Sequence, residues 1–474
     1  MSYKIAGVEV THLTHDSREV KPGSCFFALP GGKTNGSMYV LNAVSAGAAV
    51  IVAEQGQELP EVPVPILRVD NVRESMALAA KRFYGDICDK MQIIGITGTN
   101  GKTTCTYILR QLLEKKGASS KGQVGVIGTL GAFIGDEQLE YGLTTPDPIR
   151  LHEIFQIMYD RGVRVIAMEV SAHAIHYRKV AGINFRCGIF TNLSQDHLDF
   201  FPTYEDYAMT KVNWVAGLTV QTTISNADDE YGRMIIEKHP NVKKYSINDV
   251  ADLQMHATCS VFKLEKHKIR LNMGGRFNVY NALACITAVR EIGLPWRKIK
   301  KRLAQVKPVP GRFNVIKSGK GTSVVIDYAH TPDSLENILT TARELVGNGG
   351  RLISVFGCGG NRDKDKRSKM GKISGDLADF TVVTSDNPRD ESPASILLQI
   401  EAGLKTVTKS KSPDATYTLI EDRKDATHFA LDMAKPGDVI VIAGKGAETT
   451  QEIAGVFHPY IDSDIVRNYF TKGI

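Results

Sequence analysis

The feature that most constrains the fold of this chain is a glycine-rich loop, Gly95-Ile-Thr-Gly-Thr-Asn-Gly-Lys-Thr-Thr104. The apolar run Met91–Ile96 has the length of a buried strand. Apolar residues then recur at helical spacing from Cys105 to Leu113, and Gly117 marks the predicted end of that helix. The pattern therefore predicts a strand, a glycine-rich loop and a helix in succession.

A loop of this composition binds phosphate for three physical reasons. Its glycines let backbone N–H groups approach an anion, the start of the helix attracts negative charge, and Lys102 adds a cation. The hydroxyl of Thr103 is then placed to bind Mg²⁺. The spacing departs from the common P-loop, because Ile96 stands where that motif has its first glycine. The alternative is an ordinary strand-to-helix turn.

Composition argues against several classes of protein. The 474 residues suggest about three domains, and 42% apolar residues suffice for buried cores. No segment approaches the ~18 uninterrupted apolar residues of a membrane span, and the N-terminus lacks a signal pattern, so we expect a cytoplasmic protein. Seven scattered cysteines without a CxxC pair favour reduced thiols over disulfides or a zinc site. A net charge of +6 without a long basic run disfavours nucleic acid as a partner and suits an anionic small substrate.

Predicted strands alternate with predicted helices along most of the chain. This alternation is typical of an α/β fold, in which parallel sheets are covered by helices. Three regions can be distinguished, at residues 1–90, 91–306 and 307–474. The last boundary falls in Lys307-Pro-Val-Pro-Gly311, whose prolines and glycine break regular structure.

Polar or glycine-rich segments follow six of the predicted strands. In open α/β sheets, ligands bind beyond the carboxyl ends of the strands. One such segment is ordinary, whereas six indicate a cleft between two domains. The segments are Glu169-Val-Ser171, Thr191–Asp199, Asp327–Asp333, Gly357–Asp363, Asp386–Arg389 and Gly444–Glu448.

Glu169 and His197 are candidate Mg²⁺ ligands beside the phosphates. Magnesium prefers carboxylate and water with few protein ligands, so Glu169 is the stronger candidate. The alternative for His197 is a hydrogen-bonded loop histidine, and Asp196 and Asp199 are equally explained as capping or turn residues. Lys211, on a predicted helix, is by default a solvated surface lysine.

Four arginines, Arg312, Arg362, Arg367 and Arg389, are candidates for binding carboxylate or phosphate, because guanidinium binds both groups bidentately. For Arg367 the alternative is a solvated helix face. Arg389 follows Asn-Pro in a loop, where helix packing does not explain it. Glu448, in a tight loop after Gly-Lys-Gly, is suited to a substrate ammonium. Arg389 and Glu448 together would hold a zwitterionic amino-acid group, provided that the fold brings them close.

Taken in order along nearly the whole chain, these segments resemble the Mur ligases, and among them most closely the UDP-N-acetylmuramoyl-L-alanyl-D-glutamate:meso-2,6-diaminopimelate ligases. The loop spacing that is unusual for a P-loop is the form of this family. The motifs that carry the resemblance are Asp16-Ser-Arg18 with Pro22-Gly23, the GTNGKTT loop, Thr144-Thr-Pro-Asp147, Met168-Glu-Val-Ser171, Asn192-Leu-Ser-Gln-Asp-His-Leu-Asp199, Arg276-Phe-Asn-Val-Tyr-Asn281 and Val309-Pro-Gly-Arg312.

The resemblance implies an ATP-dependent amide ligase of peptidoglycan precursor synthesis, a part of cell-wall biogenesis, cell shape and cell division. It implies a small N-terminal UDP-binding α/β domain, a central P-loop ATPase-like parallel sheet and a C-terminal Rossmann-like α/β domain. Mg²⁺-ATP would phosphorylate the D-glutamyl γ-carboxylate of the UDP-MurNAc-dipeptide, and the amine of meso-diaminopimelate would attack the acyl phosphate. Domain closure would exclude water from that intermediate. We expect a monomer.

The resemblance also implies roles for individual residues. Lys211 matches the family's carbamylated lysine, whose carbamate helps to position Mg²⁺, and Lys102 and His197 join it as catalytic residues. Arg389 would bind the distal carboxylate of diaminopimelate, which lysine lacks. The implied sets are, for ATP, Gly98, Thr99, Asn100, Gly101, Lys102, Thr103, Thr104, Asn281, Arg312 and Asp327; for the UDP-sugar, Ser17, Thr144, Thr145, Ser171 and Lys179; for diaminopimelate, Arg362, Asp386, Asn387, Pro388, Arg389, Gly444 and Glu448; and for metal, Thr103, Glu169, His197 and carbamylated Lys211.

The chain departs from the family pattern at five positions. The family usually has serine, Gln, Arg, Glu and His where this chain has Ala172, Tyr177, Lys179, Asn314 and Ala447. The first three of these positions leave the UDP-sugar contacts the least specified part of the site.

Three other functions fit parts of the pattern. A lysine-adding Mur ligase is disfavoured by Arg389, and a folylpolyglutamate-type ligase is disfavoured by the segment Asp16-Ser-Arg18. A non-catalytic ATP-binding regulatory module belongs to a different class. It is disfavoured by the joint retention of Lys102, Thr103, Glu169, His197, Lys211 and Arg389.

Overall fold

The structure, a computed structural model, describes residues 3–31, 35–114, 124–140, 142–239, 241–256, 258–318, 321–407 and 416–472. The predicted helix end at Gly117 lies outside these ranges. Within them, no helix has both the length and the apolar character needed to cross a membrane. The chain divides into two compact units, the first comprising residues 1–97, 113–190 and 210–224 and the second comprising 98–112, 191–209 and 225–474. The three sequence regions stay a prediction.

The N-terminal part of the first unit is a small parallel sheet with a helix on each face. Its elements are β1 Tyr3–Ile5, β2 Val8–Val10, β3 His12–Thr14, β4 Ser24–Phe27, α1 Val40–Ser45, β5 Ala48–Glu54, β6 Ile66–Val69 and α2 Val72–Phe83. Strands β3, β4, β5 and β6 pair parallel in that order, and β1 and β2 form a separate hairpin. Successive side chains of β4 enter different cores: Phe27 packs with α2, and Phe26 packs with α1. The two phenylalanines enter different cores because successive side chains of a strand point to opposite faces of the sheet.

An eight-stranded sheet follows, in the order β10-β9-β8-β11-β7-β12-β13-β14. Strands β8, β11, β7 and β12 are parallel, and β9 and β10 extend the sheet antiparallel. Ile93, Ile94 and Ile96 of β7 are fully buried, as expected for a parallel strand that is covered on both faces. The elements are β7 Gln92–Thr97, α3 Lys102–Leu113, β8 Val124–Gly128, β9 Gly131–Ile134, β10 Glu137–Glu140, α4 Pro148–Asp160, β11 Val165–Glu169, α5 Ala172–His176, β12 Cys187–Phe190, α6 Tyr204–Val215, β13 Thr223–Asn226, α7 Glu230–Lys238 and β14 Lys243–Tyr245.

The second unit continues with an antiparallel sheet and two helices: β15 Val250–Met255, β16 Ser260–Leu264, β17 His267–Leu271, α8 Arg276–Glu291 and α9 Trp296–Leu303.

The C-terminal residues of the second unit form a doubly wound α/β sheet in the order β18-β19-β23-β20-β21-β22. All pairs are parallel except β18 with β19. Helices α10, α11 and α12 pack on one face, and α13 and α14 pack on the other. The elements are β18 Asn314–Lys317, β19 Ser323–Asp327, α10 Pro332–Arg343, β20 Leu352–Phe356, α11 Asp365–Leu377, β21 Phe380–Val383, α12 Pro393–Val407, β22 Tyr417–Leu419, α13 Arg423–Met433, β23 Val439–Ala443, β24 Thr450–Ile453, β25 Val456–Pro459 and α14 Asp462–Lys472.

This architecture confirms the predicted α/β class. Each of the six strands that were expected to end in a polar segment is present, and each of them pairs parallel with a neighbour. Because parallel strands share the direction of their carboxyl ends, the polar segments after β19, β20, β21 and β23 begin at one edge of one sheet.

Candidate active site

The candidate phosphate site is the loop Gly98–Gly101, which joins β7 to α3. Gly98 and Gly101 have positive φ angles of +140° and +88°, a region that favours glycine. A Cβ atom on Gly98 would stand 1.9 Å from Oγ1 of Thr191, so the loop also requires glycine for space. Nζ of Lys102 donates to the carbonyl oxygens of Gly98 (2.9 Å) and Thr99 (2.8 Å). The ammonium group therefore lies folded over the loop.

The segment that follows β12 holds this loop in place. The backbone N–H groups of Thr99 and Asn100 donate to Asn192, at O (2.9 Å) and Oδ1 (3.0 Å) respectively. The hydroxyl of Thr99 donates to Ser194 O (3.1 Å), and the hydroxyl of Thr191 donates to Asn100 O (2.7 Å). Two polar segments that the sequence presents separately are thus one hydrogen-bonded structure.

Residues C-terminal to position 307 also contact this part of the chain. Nη2 of Arg312 donates to Oγ1 of Thr103 (3.1 Å), and its guanidinium carbon lies 4.4 Å from the centre of the Tyr328 ring. Nδ2 of Asn100 donates to Oδ2 of Asp333 (2.8 Å). The fold therefore brings Arg312, one of the four arginines predicted to bind anions, to the start of α3.

Two further candidates for ATP contacts lie in this part of the second unit. Asn281 of α8 packs against the loop, because Oδ1 of Asn281 would stand 2.4 Å from a Cβ atom on Gly101. The carboxylate of Asp327 accepts from the N–H groups of Phe313 (2.6 Å) and Ala329 (2.7 Å). Burial raises the pKa of Asp327, although Arg312 opposes the shift.

Asp196 stands between two histidines. Its Oδ2 lies 3.5 Å from Nε2 of His197 and 3.9 Å from Nε2 of His330, and its Oδ1 accepts from the N–H of His197 (2.9 Å). Burial opposes ionisation of Asp196, but the two histidines help to hold its pKa well below its usual range. The capping alternative does not describe it, because Oγ1 of Thr203 accepts from the N–H of Asp206 in the first turn of α6 (3.1 Å). Asp196 is therefore a charged partner of His197.

In the first unit, Glu169 is a buried carboxylate at the end of β11, with 1% of its surface exposed. Its Oε1 accepts from the N–H of Thr129 (2.9 Å), and its Oε2 accepts from the hydroxyl of the same residue (3.1 Å). A Cβ atom on Gly128 would stand 2.2 Å from Oε1. Gly128 and Thr129, at the end of β8, therefore fix the orientation of the Glu169 carboxylate, a candidate metal ligand.

Three candidate UDP-sugar residues cluster beside Glu169. The hydroxyl of Thr144 lies 3.1 Å from that of Thr129, the hydroxyl of Thr145 donates to Glu169 O (2.9 Å), and it lies 3.4 Å from Oγ of Ser171. Ser171 itself accepts from the N–H of Ala174 and so caps α5.

The other candidates for UDP-sugar contacts have separate surroundings. Ser17 lies in a short 3₁₀ turn after β3, and no described contact joins it to the threonines. Nζ of Lys179 lies 2.8 Å from Oδ1 of Asp147, the residue that precedes α4. The guanidinium of Arg73 lies 4.6 Å from the centre of the Tyr177 ring. Two departures from the family pattern, Tyr177 and Lys179, therefore have defined partners within the first unit.

Lys211 lies on α6, as the sequence predicts, but only 2% of its surface is exposed. The default expectation of a solvated surface lysine is therefore wrong. Lysine is almost never fully buried unless its ammonium group is paired. This burial does not suit a purely solubilising residue, and the role of Lys211 as a carbamylated metal ligand stays a prediction.

The candidate amino-acid site is assembled from the loops after β20, β21 and β23. Nδ2 of Asn387 donates to Oε2 of Glu448 (3.0 Å). Gly444 has φ +116°, and a Cβ atom there would stand 2.2 Å from Oδ2 of Asp386. Arg362 is half exposed and lies 3.7 Å from Asp199. The fold therefore places Asn387 against Glu448, and Asp386 against Gly444.

Arg389 and Glu448 each have a partner that the sequence did not indicate. Nε of Arg389 lies 3.1 Å from Oε2 of Glu452, and Nζ of Lys445 lies 2.7 Å from Oε2 of Glu448. In the described part of the chain, no hydrogen bond or ion pair joins Arg389 to Glu448. Lys445 is fully buried and also donates to Oδ1 of Asn387 (2.9 Å). The Gly-Lys-Gly segment pointed to a tight loop here, whereas no local pattern indicated Glu452.

Arg367 is fully buried on α11, so the alternative of a solvated helix face is wrong. Its Nη1 and Nη2 donate to Oε2 (2.9 Å) and Oε1 (3.0 Å) of Glu391. It also donates to Gln399 (2.9 Å) and to the carbonyl oxygen of Gly359 (3.1 Å). Arg367 thus ties the loop after β20 to the segment that follows Arg389.

Comparison with family models matches three successive parts of the chain. Residues 9–84 match the model described as "Mur ligase family, catalytic domain", residues 96–289 match the "Mur ligase middle domain", and residues 311–446 match the "Mur ligase, glutamate ligase domain".

Comparison with individual proteins agrees over almost the full length. A protein of Caldanaerobacter subterraneus subsp. tengcongensis named UDP-N-acetylmuramoyl-L-alanyl-D-glutamate–2,6-diaminopimelate ligase is 40% identical, over 98% of this chain and 95% of its own. A protein of the same name from Aquifex aeolicus is 38% identical, over 97% and 93%. A solved structure of a ligase with this name, 29% identical, superposes with a TM-score of 0.68 over 98% and 95% of the two chains. A MurF ligase from Thermotoga maritima in complex with ADP shares the fold at 20% identity, with a TM-score of 0.61 over 97% of each chain.

Proposed function

Because this chain belongs to the Mur ligase family, we propose that it is an ATP-dependent ligase that joins meso-diaminopimelate to UDP-N-acetylmuramoyl-L-alanyl-D-glutamate in peptidoglycan precursor synthesis. The name carried by relatives at 38–40% identity over nearly the full length supports this reaction. The observation that carries the choice of amino acid is the loop Asp386–Arg389. The loop presents the partly exposed guanidinium of Arg389. This group suits the distal carboxylate of diaminopimelate, which lysine lacks.

We assign ATP to the loop between β7 and α3. The backbone of Gly98–Gly101, Lys102 and Thr104 would cradle the phosphates, and Arg312 would balance their negative charge from beyond position 307. Asn281 and Asp327 would contact the rest of the nucleotide. The contact between Arg312 and Thr103 supports this assignment, because it places a second cation beside the loop that Lys102 covers.

The donor groups fit Mg²⁺. Among the described residues, no group of three or more His, Cys, Asp or Glu could hold a metal ion alone. Magnesium in nucleotide sites uses one or two carboxylates, phosphate oxygens and water, so a complete protein cage is not required. The buried carboxylate of Glu169, the hydroxyl of Thr103, His197 and a carbamate on Lys211 would bind it. The ion would neutralise charge on the transferred phosphoryl group.

The reaction would proceed through an acyl phosphate. The glutamyl γ-carboxylate would attack the terminal phosphorus of ATP, forming an O–P bond while the bond to ADP breaks. The free amine of diaminopimelate would then attack the acyl carbon, and the tetrahedral intermediate would expel phosphate as the amine loses its proton. Lys102 and Arg312 would hold the anionic groups, and Ser17, Thr144, Thr145, Ser171 and Lys179 would bind the UDP-sugar. The consumption of ATP and the seven free cysteines support the cytoplasm as the place of the reaction.

The experiment that tests this function measures ADP and phosphate release with the UDP-linked dipeptide. Its arms contain meso-diaminopimelate, L-lysine or no amino acid. We expect turnover with diaminopimelate and release near background in the other arms. Turnover with lysine alone would support the lysine-adding alternative. Bound ATP without substrate-dependent ADP release would support a regulatory module.

Two pairs of variants locate the chemistry. Lys102→Met should lower turnover by at least about 100-fold, while Lys298→Met, an exposed lysine on α9, should leave it unchanged. Arg389→Met should lower kcat/KM for diaminopimelate by at least about 100-fold without a matching loss for lysine, because the carboxylate would be left unpaired. An equal loss for both amino acids would contradict the assignment of Arg389.

A further inference from the structure

The hairpin of β24 and β25 is attached to Arg389 through both its backbone and a side chain. The N–H of Arg389 donates to Glu452 O (3.2 Å), and the N–H of Ala454 donates to Arg389 O (2.8 Å). Oε2 of Glu452 lies 3.1 Å from Nε of Arg389. Arg389 is therefore held by the same hairpin at its main chain and at its guanidinium.

The hairpin also contacts the residues that precede Arg389. The N–H of Glu452 donates to Oδ1 of Asn387 (2.9 Å), and Nε2 of Gln451 donates to Asp386 O (2.7 Å). The far end of the hairpin is exposed, with 64% of Phe457 accessible to solvent. The hairpin is therefore exposed except where β24 contacts the Asp386–Arg389 loop.

These contacts leave one end of the guanidinium open. Nη1 of Arg389 donates to Gly360 O (2.8 Å), and Nε faces Glu452. Among the residues that the structure describes, none forms a hydrogen bond or an ion pair with Nη2. Arg389 also has a φ of +53°. For residues other than glycine this backbone conformation is strained, and it persists where surrounding contacts impose it. The arrangement fixes a long side chain at Nε and Nη1, while Nη2 has no hydrogen-bond partner among the described residues.

We propose that Glu452 is a positioning residue for the incoming amino acid. It holds the Nε edge of Arg389, so that the Nη2 end is presented to the distal carboxylate of diaminopimelate before binding. A side chain ordered in advance does not lose its freedom on binding, which improves affinity. This inference rests on the proposed function and adds to it a determinant of amino-acid recognition outside the Asp386–Arg389 loop.

The test compares Glu452→Gln and Glu452→Ala with the wild-type enzyme. We expect KM for diaminopimelate to rise about 5-fold in the Gln variant and more in the Ala variant, since Gln keeps a hydrogen-bond acceptor without the charge. The kcat, the KM for ATP and the low kcat/KM for lysine should stay within about 2-fold of wild type, because none of them depends on the distal carboxylate. The matched control is Glu137→Gln, which removes the acid of another Arg–Glu pair, that with Arg161 in the first unit.

The outcomes separate the inference from the proposed function. No turnover by wild-type enzyme would overturn both. Wild-type turnover with an unchanged or lower KM for diaminopimelate in both Glu452 variants would overturn the inference alone, and a lower KM would identify Glu452 as a competitor for Arg389. An equal rise in the KM values for ATP and diaminopimelate would also overturn it, because general loosening of the second unit would then explain the effect.

Discussion

Arg367→Met should destabilise the C-terminal sheet, because it breaks a buried ion pair. Arg367 is fully buried and makes four hydrogen bonds, two of them to the carboxylate of Glu391. Methionine fills much of the same volume but donates no hydrogen bond. Glu391 would then keep its charge beside an apolar side chain, and the carbonyl oxygen of Gly359 would lose a donor.

The expected magnitude follows from the exposure of the partner. Removal of one member of a buried ion pair costs about 3–5 kcal/mol. The side chain of Glu391 is 19% exposed, so water can reach it in the variant, which favours the lower end of that range. We therefore expect a loss of about 3 kcal/mol in the local free energy of unfolding.

Amide hydrogen exchange measured by mass spectrometry is the suitable assay. The two tryptophans, Trp214 and Trp296, lie outside residues 307–474, so their fluorescence does not report on this sheet. Peptides from α11 and α12 should lose about 100-fold in protection, since 1.4 kcal/mol corresponds to about a factor of ten. The matched control is Lys372→Met on the same helix, whose pair with Asp376 is exposed and should contribute below about 0.5 kcal/mol.

Equal protection in Arg367→Met and Lys372→Met would refute this reasoning. So would a loss in the double variant Arg367→Met/Glu391→Gln that equals the sum of the two single losses, because residues in one ion pair should not act independently.

Three further predictions follow from single contacts. The hydrogen bonds from Arg367 lower the pKa of Glu391 from 4.5 to about 2, against the effect of burial, so its stabilising contribution is complete above about pH 4.5 and is lost as the pH falls towards 2. Glu391→Gln should flatten this part of the curve of urea midpoint against pH, and an unchanged slope would contradict the assignment. Lys211→Ala should abolish turnover, a small carboxylate should partly restore it, and full activity in the variant would exclude a role for this lysine. Gly128→Ala should displace the carboxylate of Glu169, because the new Cβ atom would stand 2.2 Å from Oε1. The Mg²⁺ concentration for half-maximal activity should rise about 10-fold, and an unchanged requirement would argue against Glu169 as a ligand.

The sequence by itself determined the features that depend on neighbouring residues. Apolar runs, helical spacing and glycine-rich loops predicted the strands around Ile93–Ile96, the loop Gly98–Gly101 and the helix that carries Lys211. These signals are readable because backbone conformation and the alternation of side chains are set over a few residues. The ordered motifs also identified the family.

Only the tertiary structure decided which charged residues are buried and which groups they meet. The sequence allowed Lys211 and Arg367 to be interpreted as solvated side chains, but both are buried. Arg389 pairs with Glu452, and Glu448 pairs with Lys445, although the sequence suggested Arg389 and Glu448 as joint ligands of one group. The physical reason is that the partner of a charged side chain comes from whichever loop the sheet order brings beside it. Strand order joins residues far apart in the chain, as where Asn387 meets Glu448 across 61 positions, and local patterns carry no information on such pairs.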